Sequence, residues 1–285
     1  MTEARATRRL YWEDASTLQF DSVVATHSVW RDRPSVILVA SAFYPEAGGQ
    51  PGDRGQLGDC SVFDTQIDAA GAIHHVLDGP LPSVGQTVSG RIDGPLRRLH
   101  MALHTGQHML SRALLLEAGA ATRSSRLAET RCTIDLALDT VTSAQVARAE
   151  SIVNDVIDEN RAVRAWFPDP EELAGMELRR TIKVADNVRV VAVDDFDATP
   201  CGGTHCATTA GVGLVRVEGV ERYKGGLRVS FSAGARARRR LIERSEALEA
   251  LERRFTCDAA GVMRAVDKLS RAAADTRETL ALTNA

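Results

Sequence analysis

Along the first third of the chain, apolar residues come in short runs separated by turn residues. From Arg8 to about Asp93 the runs FDSVVATHSVW, PSVILVASAFY, CSVFDTQI, AIHHVL and QTVSGRID are divided by GDRG, DAAG, DGPLP and GPL. Short strands at close spacing predict a small β domain, a barrel, over residues 1–94. The period changes at Leu96. LRRLHMALHTGQHMLSRALLLEAG has helical spacing and ends in a glycine suited to a C-cap. RCTIDLAL then predicts a strand, and SAQVARAESIVNDVIDENRA a second amphipathic helix with Ser143 as N-cap. Strand character returns in NVRVVAVDDFD and GVGLVRVEGVERYKGGLRVSFSAG, on either side of the turn-rich segment 199-TPCGGTHCATTAG-211. Residues 95–234 therefore read as an α+β region, and residues 235–285 as a helical tail. In that tail Leu241, Leu248 and Phe255 recur every seven residues. This suits a packed or self-associating helix, hence a homodimer through the C-terminal helices.

Composition narrows the classes. A chain of 285 residues, 44% hydrophobic, can bury a substantial core. No apolar run approaches the roughly 20 residues of a membrane span, and the opening MTEARATRRLYWED has no apolar signal core. The expectation is a cytoplasmic protein with no membrane partner. Five cysteines, an odd number in a large chain, favour reduced thiols or metal ligands over disulfides. A net charge of −3 argues against indiscriminate nucleic-acid binding, so any RNA contact must be regional.

The chemistry lies in two short motifs. His104 and His108, four apart on a helix, share one face and can grip one ion. Alone, the pair favours packing or surface histidines over a metal site. Cys201 and His205, in CGGTH, sit on a Gly-Gly turn that can bend both side chains toward one centre. One cysteine and three histidines suit a single tetrahedral Zn²⁺ per chain. Cys206 adjoins His205 but reads as a buried neighbour. A metalloprotease helix would place Glu directly after its first histidine, and here that position is Thr105.

HTGQH followed by CGGTH resembles the editing domain shared by alanyl- and threonyl-tRNA synthetases, above all the free-standing alanyl-tRNA editing proteins (AlaX family). The segment 43-FYPEAGGQPGDRG-55 resembles the glycine-rich motif of the β domain in longer members, and 222-RYKGGLRVSFSAG-234 the strands after the Cys/His motif. The likeness runs from about Leu10 to Gly234. A full synthetase would carry an aminoacylation domain ahead of this region, so ATP-dependent charging is not expected. Two departures stand out. Ala47 replaces a glycine usual in the motif, and Arg126 and Ala128 stand where a pocket-lining strand commonly carries histidine and glycine.

The resemblance implies trans-editing: hydrolysis of the ester in mischarged tRNA(Ala), chiefly seryl and also glycyl. A synthetase pocket cannot reject every near-isostere of alanine by binding alone, so a second site corrects its errors. Thr122 and Ser124 are the candidates for sensing the seryl hydroxyl, against the reading of ordinary strand residues. Gln107, between the two helix ligands, would point away from the metal and either orient a neighbour or be solvated. Gly48, Gly49, Gln50 and Asp53 of the glycine motif, with Lys224 and Arg228 of the Gly-Gly hairpin, are the candidate tRNA contacts. Arg97, Arg98 and the run from Arg236 to Arg240 read as phosphate contacts or as solvated, ion-paired faces. Four protein ligands close a zinc ion, the mark of a structural site, whereas catalysis leaves a position for water. The ion therefore either activates the nucleophile or only shapes the pocket, and no general base is identifiable. The rival class is a zinc-stabilised tRNA-binding module without hydrolytic activity.

Overall fold

The computed structural model describes residues 6–182 and 187–283. The chain divides into two compact units, 1–236 and 237–285. The architecture is α+β.

In the first unit six antiparallel strands close into a barrel, in the order Gln19–Trp30, Arg33–Leu38, Ile73–Asp78, Cys60–Ile67, Gly55–Leu57 and Thr87–Ile92. The residues dictate this closure by alternation. In Thr87–Ile92 every second side chain is buried, so one face of the ribbon must turn inward. Val36, Leu38, Phe43, Leu57, Val62 and Val88 fill the interior.

Asp93 caps the helix Gly94–Ala118 by accepting from Leu96 N–H at 3.0 Å, and Pro95 occupies its first turn. Gly119, left-handed at φ 64°, ends it as the sequence predicts. The second helix, Ser143–Asp158, starts one residue earlier than expected. Thr142, not Ser143, is the N-cap, because Gln145 three residues on completes a capping box with it. Both helices share a core with a four-stranded antiparallel sheet of order Val215–Arg222, Leu227–Ala233, Cys132–Leu136, Thr122–Arg126. Leu110, Leu114, Val153, Ile134 and Phe231 meet there. A separate three-stranded sheet, Val163–Trp166, Val190–Val193 and Asp197–Pro200, delivers the chain to Cys201.

The barrel is bolted to the histidine helix by one buried ion pair. Arg97, wholly buried, pairs through Nη2 with Asp53 and donates from Nη1 to Ala15 O (2.7 Å) and from Nη2 to Ala42 O (2.5 Å). Asp53 also accepts from Tyr44 N–H at 2.6 Å. The second unit holds the remainder of the helix Gly234–Phe255 and the helix Ala259–Thr283. Among the described residues no helix is long and apolar enough to cross a membrane.

Candidate metal centre and adjoining groove

His104 and His108 face the same way from one helix turn to the next, and Cys201 and His205 come from the turn after Asp197–Pro200. One donor atom from each lies within 4.8 Å of all the others, a group that could hold a metal ion. The separations fit a real ion. Cys201 Sγ lies 3.5 Å from His104 Nε2 and 3.4 Å from His205 Nε2. Tetrahedral bonds of about 2.3 Å to sulfur and about 2.05 Å to nitrogen place such atoms about 3.5 Å apart.

The second layer fixes each ligand. Gln50, fully buried, reaches from the glycine-rich loop across to the helix. Its Oε1 accepts from Thr204 N–H (3.2 Å), and its Nε2 donates to Thr204 Oγ1 (2.8 Å). That identifies the oxygen, which lies 2.7 Å from His104 Nδ1, so the imidazole donates there and keeps its Nε2 lone pair for the cluster. Thr105 Oγ1 lies 3.2 Å from His205 Nδ1 and accepts from Cys206 N–H at 3.1 Å. The residue that excludes a metalloprotease reading thus supports the second histidine. Gly203 is obligatory: a Cβ there would stand 2.2 Å from His104 Cε1. Gly49, at φ 86°, packs so closely that a Cβ would lie 2.5 Å from Ser125 O.

The electrostatics suit a cation. Burial pushes His104 down to about 3, and His108 and His205 well below their ordinary value. All three are neutral imidazoles with a free lone pair. Burial also raises the Cys201 thiol, opposed by the Gly203 N–H and the Arg189 guanidinium. A bound cation would displace its proton. Cys206 is buried outside the cluster, its thiol pushed up to about 11 by desolvation.

The cluster opens into a cavity of about 240 Å³, which His104, His108, Gln107, Thr199 and Arg179 help to line. Gln107 is 3% exposed and donates to Ser111 Oγ at 2.8 Å. It does not point away as expected, since three residues along a helix is only about 60° around it. A larger groove of about 1080 Å³ shares Arg9, Trp12, Gly48, Ser125, Cys201 and Gly202 with that cavity.

The other expected site residues separate. Ser124 lines the groove, while its hydroxyl donates to Asp135 at 2.7 Å. Thr122 lines neither space, and its buried Oγ1 has no partner among the described residues. Gly48 lines both. Asp53 and Gln50 are fully buried, so neither presents a side chain to RNA; they hold Arg97 and His104 instead. Arg228 is ion-paired with Asp135 (2.6 Å) and lies over the Tyr223 ring, and Lys224 occupies the hairpin turn at φ 46°. Arg98 is exposed, whereas Arg236 is buried and donates to Ala128 O and Glu129 O. Sequence reasoning missed Ser125, Thr199, Arg189 and Trp12. Thr199 lines the small cavity with a buried hydroxyl that has no partner among the described residues, and nothing in the residue order marks it.

Comparison with known proteins agrees with this geometry. Residues 188–229 match the family described as the threonyl and alanyl tRNA synthetase second additional domain. The chain is 34% identical over 239 residues to the alanyl-tRNA editing protein AlaX-L of Pyrococcus horikoshii, covering 80% of this chain and 58% of that protein. It is 34% identical to the alanine–tRNA ligase of Thermococcus kodakarensis, covering 81% of this chain and 26% of the ligase. The Ignicoccus hospitalis ligase is 30% identical over 96% of this chain and 31% of its own length. The chain thus spans a little over half of the editing protein and about a quarter to a third of these ligases.

Proposed function

We propose that this chain, a relative of the alanyl-tRNA editing proteins, is an aminoacyl-tRNA deacylase that hydrolyses mischarged tRNA(Ala), chiefly the seryl and also the glycyl ester. One observation carries the reading: four ligand-type side chains converge on a small cavity that continues into an arginine-lined groove. His104, His108, Cys201 and His205 would hold one zinc ion. Bound there, zinc supplies Lewis acidity and a fixed positive charge at the pocket floor.

This chain's own residues do the remainder. A space of about 240 Å³ admits a small aminoacyl group and excludes bulky ones. Gln107, which lines the cavity and has its amide N–H turned to Ser111, would accept from a seryl hydroxyl through its side-chain carbonyl, with Thr199, Ser124 and Thr122 as further candidates. Alanine would leave such a buried group unpaired, which is how a polar pocket spares the correct ester. Among the described residues lining the small cavity there is no carboxylate to act as general base. The chemistry is then mainly positioning: water adds its oxygen to the acyl carbon, the acyl–ribose C–O bond breaks, and a proton of the water passes to the departing ribose oxygen, which leaves as the hydroxyl. Arg179, held by Asp197 at 2.7 Å and lining the cavity, would offset charge developing on the acyl oxygen. Lys224 and Arg228 would touch the tRNA body. Exposed Leu241 and Leu248 supply a surface for pairing with a second copy.

The second reading, a zinc-stabilised tRNA-binding module, is favoured by the closed four-ligand set. Incubation with Ser-tRNA(Ala) and Ala-tRNA(Ala) separates the two. The deacylase releases serine and spares alanine, and an intact seryl ester at micromolar protein leaves only the binding module.

A further inference from the structure

The groove beside the metal centre has a composition that the ester chemistry alone does not need. Arg9, Arg123, Arg180 and Arg189 line it, and none of its described lining residues is a carboxylate. Their hydrogen bonds leave the charge in place. Arg123 donates to Lys224 O and Gly225 O, Arg180 to Arg123 O, and Arg189 to Cys201 O and Gly203 O. Arg189 is 6% exposed, and its buried Nε has no partner among the described residues.

The same groove carries an aromatic wall. Trp12 and Phe167 meet edge to face with centroids 5.2 Å apart, and the Arg9 guanidinium lies 4.1 Å from the Trp12 ring centre. Phe167 is 44% exposed, so part of its ring is open to the groove. Trp12 Nε1 donates to Gly202 O at 2.9 Å, which hooks this wall to the turn bearing Cys201 and His205. Arginines with no carboxylate among the groove's described lining residues, beside the exposed Phe167 ring and the partly buried Trp12 ring, form a combination that holds single-stranded nucleic acid, cations for phosphates and flat faces for bases.

We propose that Trp12 and Phe167 stack the unpaired 3′-terminal bases of the RNA substrate while Arg9, Arg123, Arg180 and Arg189 hold its last phosphates, so that the terminal ribose lies at the mouth of the metal cavity. This rests on the deacylase reading for why that ribose matters. The binding itself does not depend on hydrolysis.

The test uses uncharged RNA and the full chain with its zinc. Affinity is measured for a hairpin RNA ending in unpaired CCA and for the same hairpin without its terminal adenosine. The wild type should prefer the complete end. Phe167→Ala and Trp12→Ala should each weaken binding of the complete RNA about ten-fold and abolish the preference. Trp12→Phe, which keeps a ring, should restore most of it. Arg123→Ala and Arg180→Ala should weaken both RNAs alike and lower the salt dependence, by a slope of about 0.7 per lost contact. Zinc content is read alongside; if Trp12→Ala loses zinc through its hook to Gly202, Phe167→Ala decides alone. Wild-type preference retained in Phe167→Ala overturns the proposal. Preference abolished by the variants, with seryl esters untouched by wild type, upholds the groove and removes the hydrolase. Normal hydrolysis with no preference in wild type does the reverse.

Discussion

The glycine-rich loop, residues 43–55, and the hairpin at 222–228 are both turns rich in polar residues, yet they lie on opposite sides of the burial boundary. In the first, Gln50 and Asp53 are fully buried and spend their polar groups on His104 and Arg97. In the second, Lys224 is exposed and Tyr223 and Arg228 are partly so, with Arg228 stacked on Tyr223 and paired with a mostly buried Asp135. Polar residues of two similar-looking turns therefore act as internal struts in one and remain at or near the surface in the other. What decides is the environment: a buried amide or carboxylate must find a partner, and its loss is felt by whatever it holds.

The largest test of this contrast is Asp53→Ala. It leaves the Arg97 guanidinium buried without its counter-charge, and removing one partner of a buried pair costs about 3–5 kcal/mol. Denaturant unfolding should show a loss of that size; a loss below about 1 kcal/mol would move Asp53 to the solvated class. The barrel's buried His75 should give the next largest effect. Enclosed between Ser41 Oγ (2.7 Å) and Val36 O (3.1 Å), it is pushed down to about 4 by burial. The unfolded chain takes up this proton near pH 6.5 and the folded chain only near 4. The stability from neutral His75 is therefore complete above 6.5 and lost as pH falls toward 4, about 3 kcal/mol in all. The stability difference between wild type and His75→Gln should shrink by that amount from pH 7 to 4, and a pH-independent difference would refute the assignment.

Gln50→Ala should lower zinc affinity about 10–100-fold, because His104 loses the hydrogen bond that fixes its tautomer. Competition with a chromogenic chelator measures it. Unchanged affinity would return Gln50 to the RNA-facing group. At the small end, Lys224→Ala should alter stability by less than about 0.5 kcal/mol while reducing the salt slope of RNA binding by about one contact.

The contrast also shows what residue order can and cannot convey. Periodicity read the barrel, the histidine helix and its Gly119 cap, since each depends on local spacing and turn chemistry. The second helix is capped by Thr142, not by the neighbouring Ser143 that the sequence suggests, because the capping box is set by Gln145, which pairs with Thr142. The four ligand-type residues were legible as a set through their chemistry, although 97 positions separate His104 from Cys201. Gln50 was read from its turn as a surface contact, because nothing local reveals that the loop turns inward against Thr204. Trp12, Phe167 and Arg189 come from three distant segments and become one groove only through the packing of the first unit.

If His104, His108, Cys201 and His205 hold a zinc ion on which ester hydrolysis depends, activity must follow the metal. The most direct measurement is the rate of Ser-tRNA(Ala) deacylation by the purified chain before chelation, after it, and after stoichiometric zinc is returned. Hydrolysis should be lost on chelation and recover with one zinc per chain, with no recovery in Cys201→Ala. Full hydrolysis by the metal-free protein would contradict that dependence.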